Sequence, residues 1–463
     1  MIKSRNILPY SVYIVLFLSL IYSYIFNINF KSKYSNEKNI SGYISYYLID
    51  GNKLTLELDA KEKVLCNYYY NNIDERELFK ETYKLGDYVY LEGKLLEPSK
   101  NTIFNNFNYK QYLKYEHINY LFNIDKITKI KPNDTIRYKI KNYIINKIDD
   151  NILKDYLYTF ILGNSKYIDV EVMDSYRING ISHLFSVSGM HVSLISMIIL
   201  KIFNKYKFKN VIVAFVIIFY MFLTDFSPSI LRAGIFFILI LLNKGLNLKL
   251  NNILLMLLLL AICIFVDPFI IYKIGFQYSY IISFTLILFN KIISNTKNKI
   301  NKLFIISFIS FIVSLPITIN NFNQINLLSI VLNIFFVPLV SSIIFPITLL
   351  NIIIPIPFIN FFITIFENIS LLLSKINIFV IILSKINKFF IIIYYIVIFY
   401  VLYNIKLKKY KYTLLLIIVI FIHYLIPYFN TSYEVAFLEK TTTNMIQKIS
   451  SMFAVNPLFS KGI

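Results

Sequence analysis

His183, Ser186, Ser188, Gly189 and His191 fall within the stretch HLFSVSGMHVSL (183–194), whose surroundings are almost wholly Ile, Leu, Phe and Met. Histidine and serine at such a place bring three kinds of chemistry to mind: proton transfer, metal ligation and nucleophilic attack. On a regular helix Ser188 and His191 share a face at i and i+3, as do Ser186 and Gly189. Metal ligation is weak, because positions 183 and 191 are separated by about 12 Å along a straight helix. Only a break at Ser188-Gly189 would fold them together. A hydrolase with Ser188 as nucleophile and His191 or His183 as base needs a base within reach and an oxyanion site, and nothing here supplies the second. The expectation is therefore no catalytic residue, no metal and no cofactor. Two readings stay open: small polar residues that let helices pack closely, and a polar pathway or gate, the default suspicion for ionisable groups at membrane depth.

Three further polar groups recur in apolar context. TDFSPSILRAG (224–234) carries Asp225, Ser227, Ser229 and Arg232. Pro228 between serines marks a helix start, which puts Arg232 about one turn inside. Its expected partner is Asp225, the nearest acid; the alternative is an aqueous path where the guanidinium meets a phosphate bidentately. VDPFIIYKIGFQYSY (266–280) adds Asp267, Lys273, Gln277 and Ser279. SLPITINNFNQINLLSIVLNIFFVPL (314–339) adds Asn333, whose place before Pro338 suggests a broken helix.

The elements that must hold these groups follow from composition. The 463 residues are 57% hydrophobic with a mean hydropathy of +0.60, which excludes an ordinary soluble protein. The formal charge is +21. Residues 31–150 hold 20 basic and 17 acidic side chains, and residues from 151 onward 25 and 9, so the excess lies in the apolar part. Topogenic lysines explain most of it, with attraction of a polyanion as the competing reading. The expected fold is a polytopic α-helical membrane protein of about eleven transmembrane helices. An uncleaved anchor occupies 1–30, and ten spans run near 181–200, 210–224, 229–243, 252–266, 270–290, 303–320, 327–350, 356–373, 378–403 and 412–428. With the N-terminus cytoplasmic, the clusters around Lys201–Lys209, Lys244–Lys249, Lys291–Lys302 and Lys406–Lys411 all fall inside. Asp225, Asp267 and the C-terminus fall outside. Several spans are short enough to be broken or re-entrant. Cys66 and Cys263 lie in different kinds of segment and are not expected to pair.

Residues 31–130 read instead as a small extracytoplasmic domain. SGYISYYLID, NKLTLELDA, KVLCNYYY and DYVYLEGKLLE alternate like strands, separated by Asp50-Gly51-Asn52 and Gly86-Asp87. Four or five such strands suit an antiparallel, OB-like barrel. NYKQYLKYEHI reads as a helix, and residues 131–180 as an amphipathic helical linker. Tyr68, Tyr69, Tyr88 and Tyr90 are candidates for base stacking, with barrel packing the favoured alternative. The near-neutral charge of the domain argues against strong nucleic-acid binding there.

HLFSVSGMHVSLI, FSPSILRAGIF, DPFIIYKIGFQYSY and SLPITINNFNQINLLSIVLNIFFVPL together resemble the ordered motifs of the ComEC family of competence proteins, over residues 150–425. GDYVYLEGKLLEPSKNTIFNNFNYKQYLKYEHI is similar to the family's amino-terminal OB-like domain: Asn101, Phe107, Tyr109, Tyr112 and Leu113 fit, while Asn108 stands where an acid is common. The resemblance implies transport of single-stranded DNA across the cytoplasmic membrane in natural transformation. It implies membrane lipids, a DNA receptor and a cytoplasmic helicase or translocase as partners, with self-association open. Many members continue into a metallo-β-lactamase-like nuclease domain. VAFLEKTTTNMIQ (435–447) begins like the entry to that domain and then diverges, with no His-x-His-x-Asp-His cluster after it, so residues 430–463 are expected to be a short divergent tail without nuclease. The alternative functions are a truncated or inactive family remnant and an intramembrane hydrolase using Ser188 and His191.

Overall fold

Inward-facing side chains on every second residue close the amino-terminal sheet on itself. In the computed structural model the described residues run from 4 to 429, apart from 36, 100–107, 134, 147–150, 164, 186–187, 352–353, 355–357 and 377–378. Five strands, β1 (Asn39–Asp50), β2 (Lys53–Asp59), β3 (Lys63–Tyr69), β4 (Tyr88–Leu96) and β5 (Ile118–Lys131), form a closed barrel in the order β1-β2-β3-β5-β4. Ile44, Leu54, Leu56, Leu58, Val64, Cys66, Val89, Leu91 and Phe122 fill it and are fully buried. The barrel is not wholly antiparallel as expected: β3 and β5 pair parallel. The chain leaves β3 through helix α2 (Ile73–Thr82) and β4, then passes helix α3 (Tyr109–Tyr115) before β5. That crossover is what a parallel neighbour requires.

Two local devices fix the barrel. Gly93 sits at a register shift between β4 and β5, where a Cβ would approach the Asn123 carbonyl oxygen to 2.0 Å. Asp87, buried at the start of β4, accepts from the backbone N–H groups of Lys84 and Asn133 at 2.8 and 3.0 Å and from Lys129 Nζ at 2.7 Å. Helix α2 starts on Asn72, whose side chain accepts from the Glu75 N–H, and lays Phe79 against Tyr47, Tyr70 and Tyr83.

The remaining elements are helical apart from two short strands. Anchor α1 (Ser4–Asn29) precedes the barrel. After it come α4 (Ile136–Asn146), α5 (Asn151–Leu162), α6 (Val170–Ile178), α7 (Gly189–Ile202), α8 (Lys209–Leu223), α9 (Pro228–Gly245), α10 (Asn252–Val266), α11 (Ile274–Leu288), α12 (Asn290–Ser294) and α13 (Lys299–Phe322). Then follow β6 (Gln324–Asn326), α14 (Ser329–Leu339), α15 (Phe345–Asn351), α16 (Ile359–Ser374), β7 (Val380–Ile382), α17 (Lys388–Lys406) and α18 (Thr413–Phe429), with β6 and β7 paired. Among the described residues five helices are long and apolar enough to cross a membrane: Pro9–Asn29, Pro228–Gly245, Lys299–Phe322, Ser329–Asn351 and Phe389–Lys406. Six shorter apolar helices occupy the other expected spans; a fifteen-residue helix covers about 23 Å of a hydrocarbon layer about 30 Å thick.

Three boundaries differ from expectation for identifiable reasons. The span placed at 181–200 begins only at Gly189, after a 3-10 turn at Ser182–Leu184. The span placed at 378–403 opens with β7, and its helix starts after Asn387, whose side chain accepts from the Phe389 N–H. The run containing Asn333 and Pro338 is not broken. It widens into a π turn at Val340–Ile344, in which the Phe345 N–H reaches the Val340 carbonyl. Pro338 and Pro346 each lack the N–H that an α register would use, and the wider turn lies between them.

Packing joins the two parts. One core runs from the barrel through Tyr156, Leu157 and Phe160 of α5, Tyr176 of α6 and Phe185 to Phe336, Phe345 and Phe366. The stretch 131–180, expected as a linker, thus contributes three helices to that core, α4 through Tyr138, α5 and α6. A second core lies among α7 to α11 and a third among α13, α17 and α18. Anchor α1 turns Ser19 and Ser23 inward, both fully buried, and exposes Tyr13, Phe17, Tyr24 and Ile28. Ser23 Oγ donates to the Pro268 carbonyl at 2.6 Å, so the anchor is seated on the end of α10 by a small polar contact, as helices in lipid commonly are. Cys66 and Cys263 are both free and buried.

Replacing Asp87 by Ala strands Lys129 and two backbone donors, and is expected to destabilise the barrel by about 3 kcal/mol. Denaturant-dependent proteolysis of β1–β5 in the purified full chain checks this; Asp87→Asn should cost less.

Candidate functional site

Helix α7 starts where His191 makes it start. The ring is fully buried, and its Nδ1 accepts the Ser188 backbone N–H at 2.9 Å, with Ser188 Oγ 3.3 Å from the same nitrogen. A side chain three residues into a helix that reaches back to the cap N–H is the second half of a capping box. With Nδ1 accepting, the proton sits on Nε2, and Nε2 is buried without a hydrogen-bond partner. The ring lies between Phe160 at 5.4 Å and Phe345 at 4.4 Å between centroids. This arrangement is poor for Ser188 as a nucleophile, because a backbone N–H already holds the lone pair that would take its proton.

Arg232 comes to this same helix start. A Cβ on Gly189 would stand 2.6 Å from Arg232 Nη2, so the guanidinium occupies the space that glycine leaves. Its Nε donates to Ser279 Oγ of α11 at 2.7 Å. The side chain is 7% exposed, and among the described residues no carboxylate pairs with it. Three of the motifs noted in the sequence therefore meet at one point: Ser188-Gly189-x-His191, Arg232 and Ser279. Ser279 was visible in GFQYSY, but its 47-residue separation from Arg232 gives no signal of contact.

Asp225 is not the partner of Arg232, as expected from proximity in sequence. It lies at the α8–α9 turn with a left-handed backbone, φ 52°, and receives Arg137 at 2.9 Å and Lys141 at 2.6 Å, both from α4. Burial pulls the Lys141 ammonium below the usual lysine range, against the pull of Asp225. Asp267 likewise faces the barrel: its carboxylate takes His117 Nε2 at 2.9 Å and Lys273 at 3.0 Å, and Lys273 also lies 3.4 Å from Glu116. Burial would raise the Asp267 pKa, but the hydrogen bonds and charges of His117 and Lys273 outweigh it and hold it near about 2. Sequence reading found neither Arg137 and Lys141 nor His117, since long-range ion pairs leave no periodic trace.

The other candidates are scattered. His183 lies on the 3-10 turn before α7 and is not brought to His191 by any contact among the described residues. Ser186 lies outside the described residues, as do Asn101, Phe107 and 430–463. Ser227 caps α9 through its carbonyl, which takes the Leu231 N–H at 2.9 Å, and its Oγ is buried without a partner. Ser229 is half-buried in the first turn of α9. Gln277 Nε2 donates to the Ile271 carbonyl at 2.9 Å. Asn333 Oδ1 is buried and unpartnered. Asn108 caps α3 by accepting the Gln111 N–H at 3.0 Å, work that an acidic residue does equally.

On the barrel, Tyr69 is 63% exposed. Tyr68 is pinned by its hydroxyl to Glu75, a bond that pushes its pKa up to about 12. Tyr88 stands edge-on to Tyr43 at 4.8 Å, with Lys131 Nζ 5.4 Å from its ring and its hydroxyl 3.0 Å from Ser41 Oγ. Tyr90 is half-buried. Among the described residues none of these four rings stacks on another of the four.

A small barrel joined to an apolar helical bundle, with a buried polar junction inside that bundle, defines a multi-helix membrane protein with an appended β domain. The chain belongs to the competence protein family, whose model matches residues 160–408. ComE operon protein 3 of Bacillus subtilis (strain 168) is 26% identical over 283 residues, which are 58% of this chain and 36% of that protein. The chain therefore spans little more than a third of the length of the curated relative it matches.

Because the Asp267 carboxylate ionises more readily folded than unfolded, its stabilising effect is complete above pH about 4 and disappears as pH falls toward about 2. Asp267→Asn should lower the stability of the purified chain by on the order of 2 kcal/mol at pH 6. The gap to wild type should close below pH 4 in thermal unfolding scans.

Proposed function

We propose that this chain forms the membrane-conducting part of a DNA uptake apparatus, passing single-stranded DNA across the cytoplasmic membrane during natural transformation. The observation that carries this reading is Arg232: a guanidinium buried in an apolar bundle, oriented by a hydroxyl rather than neutralised by a carboxylate. Such a group suits transient contact with successive phosphodiesters, which a permanent ion pair would obstruct. The role of the chain is transport rather than catalysis, and Ser188, Gly189, His191, Ser279 and Arg232 form a gate on the path. Asp225 and Asp267 instead tie the barrel side to the bundle.

The acidic turns and the lysine loops support a topology for this role. Both acidic turns, at 225 and 267, contact the barrel or the helix just after it, whereas the lysine clusters occupy the alternate loops. That division supports an outside barrel, a cytoplasmic N-terminus and eleven crossings, several of them by short helices within protein. The closed five-stranded barrel supports the OB-like reading, with Tyr88, Tyr43 and Lys131 the best-placed group for a base. A DNA receptor and a cytoplasmic motor are the partners this role requires.

In a naturally competent host, Arg232→Ala is expected to reduce transformation by about 30-fold or more, the effect of losing one charge-assisted contact, and His191→Ala, which uncaps the helix start against Arg232, to reduce it as well. Labelled DNA should still bind the cell surface. Gly189→Val, which displaces the guanidinium, should act alike. Wild-type transformation with all three variants at normal membrane levels would overturn the reading.

A further inference from the structure

Where the anchor helix ends, the barrel leaves a basic cleft. Its volume is about 530 Å³, and its lining includes Asn27 of α1, Asn108, Lys110, Gln111 and Lys114 of the α3 segment, and Asn119. None of the residues lining it is acidic. Lys114 Nζ donates to the Asn27 carbonyl at 2.8 Å and lies 5.9 Å from the Phe269 ring centroid. No carboxylate among the described residues pairs with it, and burial depresses its pKa, as for a cation short of an anion. Lys110 reaches Glu97 at 2.9 Å, but both side chains are well exposed, and such pairs exchange readily for another anion.

The depth of the cleft follows from the length of the anchor. Pro9–Asn29 is 21 residues of apolar helix, which spans about 31 Å at 1.5 Å per residue and so matches the hydrocarbon thickness of about 30 Å. Asn27 therefore emerges at headgroup level. Ile25 and Ile28 beside it are exposed, as acyl chains would require. Phe30, Phe269, Tyr115 and Tyr272 pack into one aromatic group, edge-on between Phe30 and Phe269 and stacked between Tyr115 and Tyr272, in the manner of an interfacial belt. Two ammonium groups among neutral amide side chains, placed at this level, suit a phosphodiester with net negative charge.

We infer that the cleft between the end of α1 and the α3 segment binds the headgroup of an anionic glycerophospholipid, through Lys110 and Lys114. Lipid held there would bridge the anchor and the barrel. Soluble phosphate and nucleic-acid phosphate offer the same contact chemistry without the acyl chains that the exposed Ile25 and Ile28 would meet.

Native mass spectrometry of the purified full chain in detergent, with phosphatidylglycerol and phosphatidylcholine supplied equally, tests this. Wild type should retain phosphatidylglycerol preferentially. Lys110→Gln/Lys114→Gln should lose about tenfold of that preference, the order expected when two basic side chains leave an anionic surface. Lys114→Arg should keep it, and Lys80→Gln/Lys84→Gln, elsewhere on the barrel, should leave it unchanged. Equal retention of the two lipids by wild type, or an undiminished preference in the double variant with unchanged thermal stability, would overturn the inference. Displacement of the lipid by millimolar glycerol phosphate, or by a short single-stranded oligonucleotide, would overturn it too, assigning the cleft to a soluble anion or to nucleic acid. Should the double variant fail to fold, charge-retaining Lys114→Arg and the single Lys110→Gln decide the same question.

Discussion

A guanidinium cannot be set among aliphatic side chains without something that answers its charge. In this bundle the answer is geometric. Gly189 vacates the space, Ser279 fixes Nε, and the start of α7 is shaped around the result. His191 holds that start by capping Ser188, and Phe160 and Phe345 hold His191. Two helices that share no sequence neighbourhood, α5 and α15, thus support the position of one side chain on α9. A helix end buried in apolar surroundings must satisfy its free N–H groups from side chains, and here a histidine does so from within the same helix.

The barrel and the bundle are connected by a different kind of force. Acidic side chains on two turns of the bundle, Asp225 and Asp267, receive basic groups from segments flanking or within the barrel domain. Ser23 and the aromatic group around Phe269 seat the anchor beside them. The contacts are polar and partly exposed, unlike the apolar packing that continues from the barrel through α5 into α14–α16. The domain is accordingly built into the membrane part rather than tethered to it.

Much of this was legible in the chain itself. Period-two alternation marked β1 to β4, and apolar runs located every long helix. Motif order gave the family. What escaped were features that depend on three-dimensional closure. The parallel β3–β5 pair could not be read, because strand direction depends on the path between strands. Helix α2 carried a readable signal, Asn72 followed by Asp74 and Glu75, and was passed over because strand-like segments flank it. Proximity in sequence misassigned the partner of Arg232, since the α8–α9 turn sends Asp225 toward α4 while Arg232 faces inward one turn later. His191 was singled out, but its function as a cap could be seen only once the helix was known to start at Gly189.

The π turn at Val340–Ile344 carries a consequence of its own. One residue more than an α register needs rotates everything beyond it by about 100°, and that rotation brings Phe345 onto the face that meets His191. The run Val-Ser-Ser-Ile-Ile reads in hydropathy like any apolar helix, and Val340 and Ile344 are buried in the core they share with Phe345. Its length is a second constraint: loss of a single residue there would restore an ordinary helix and turn Phe345 away from the imidazole. The segment is constrained by its number of residues as well as by their identity.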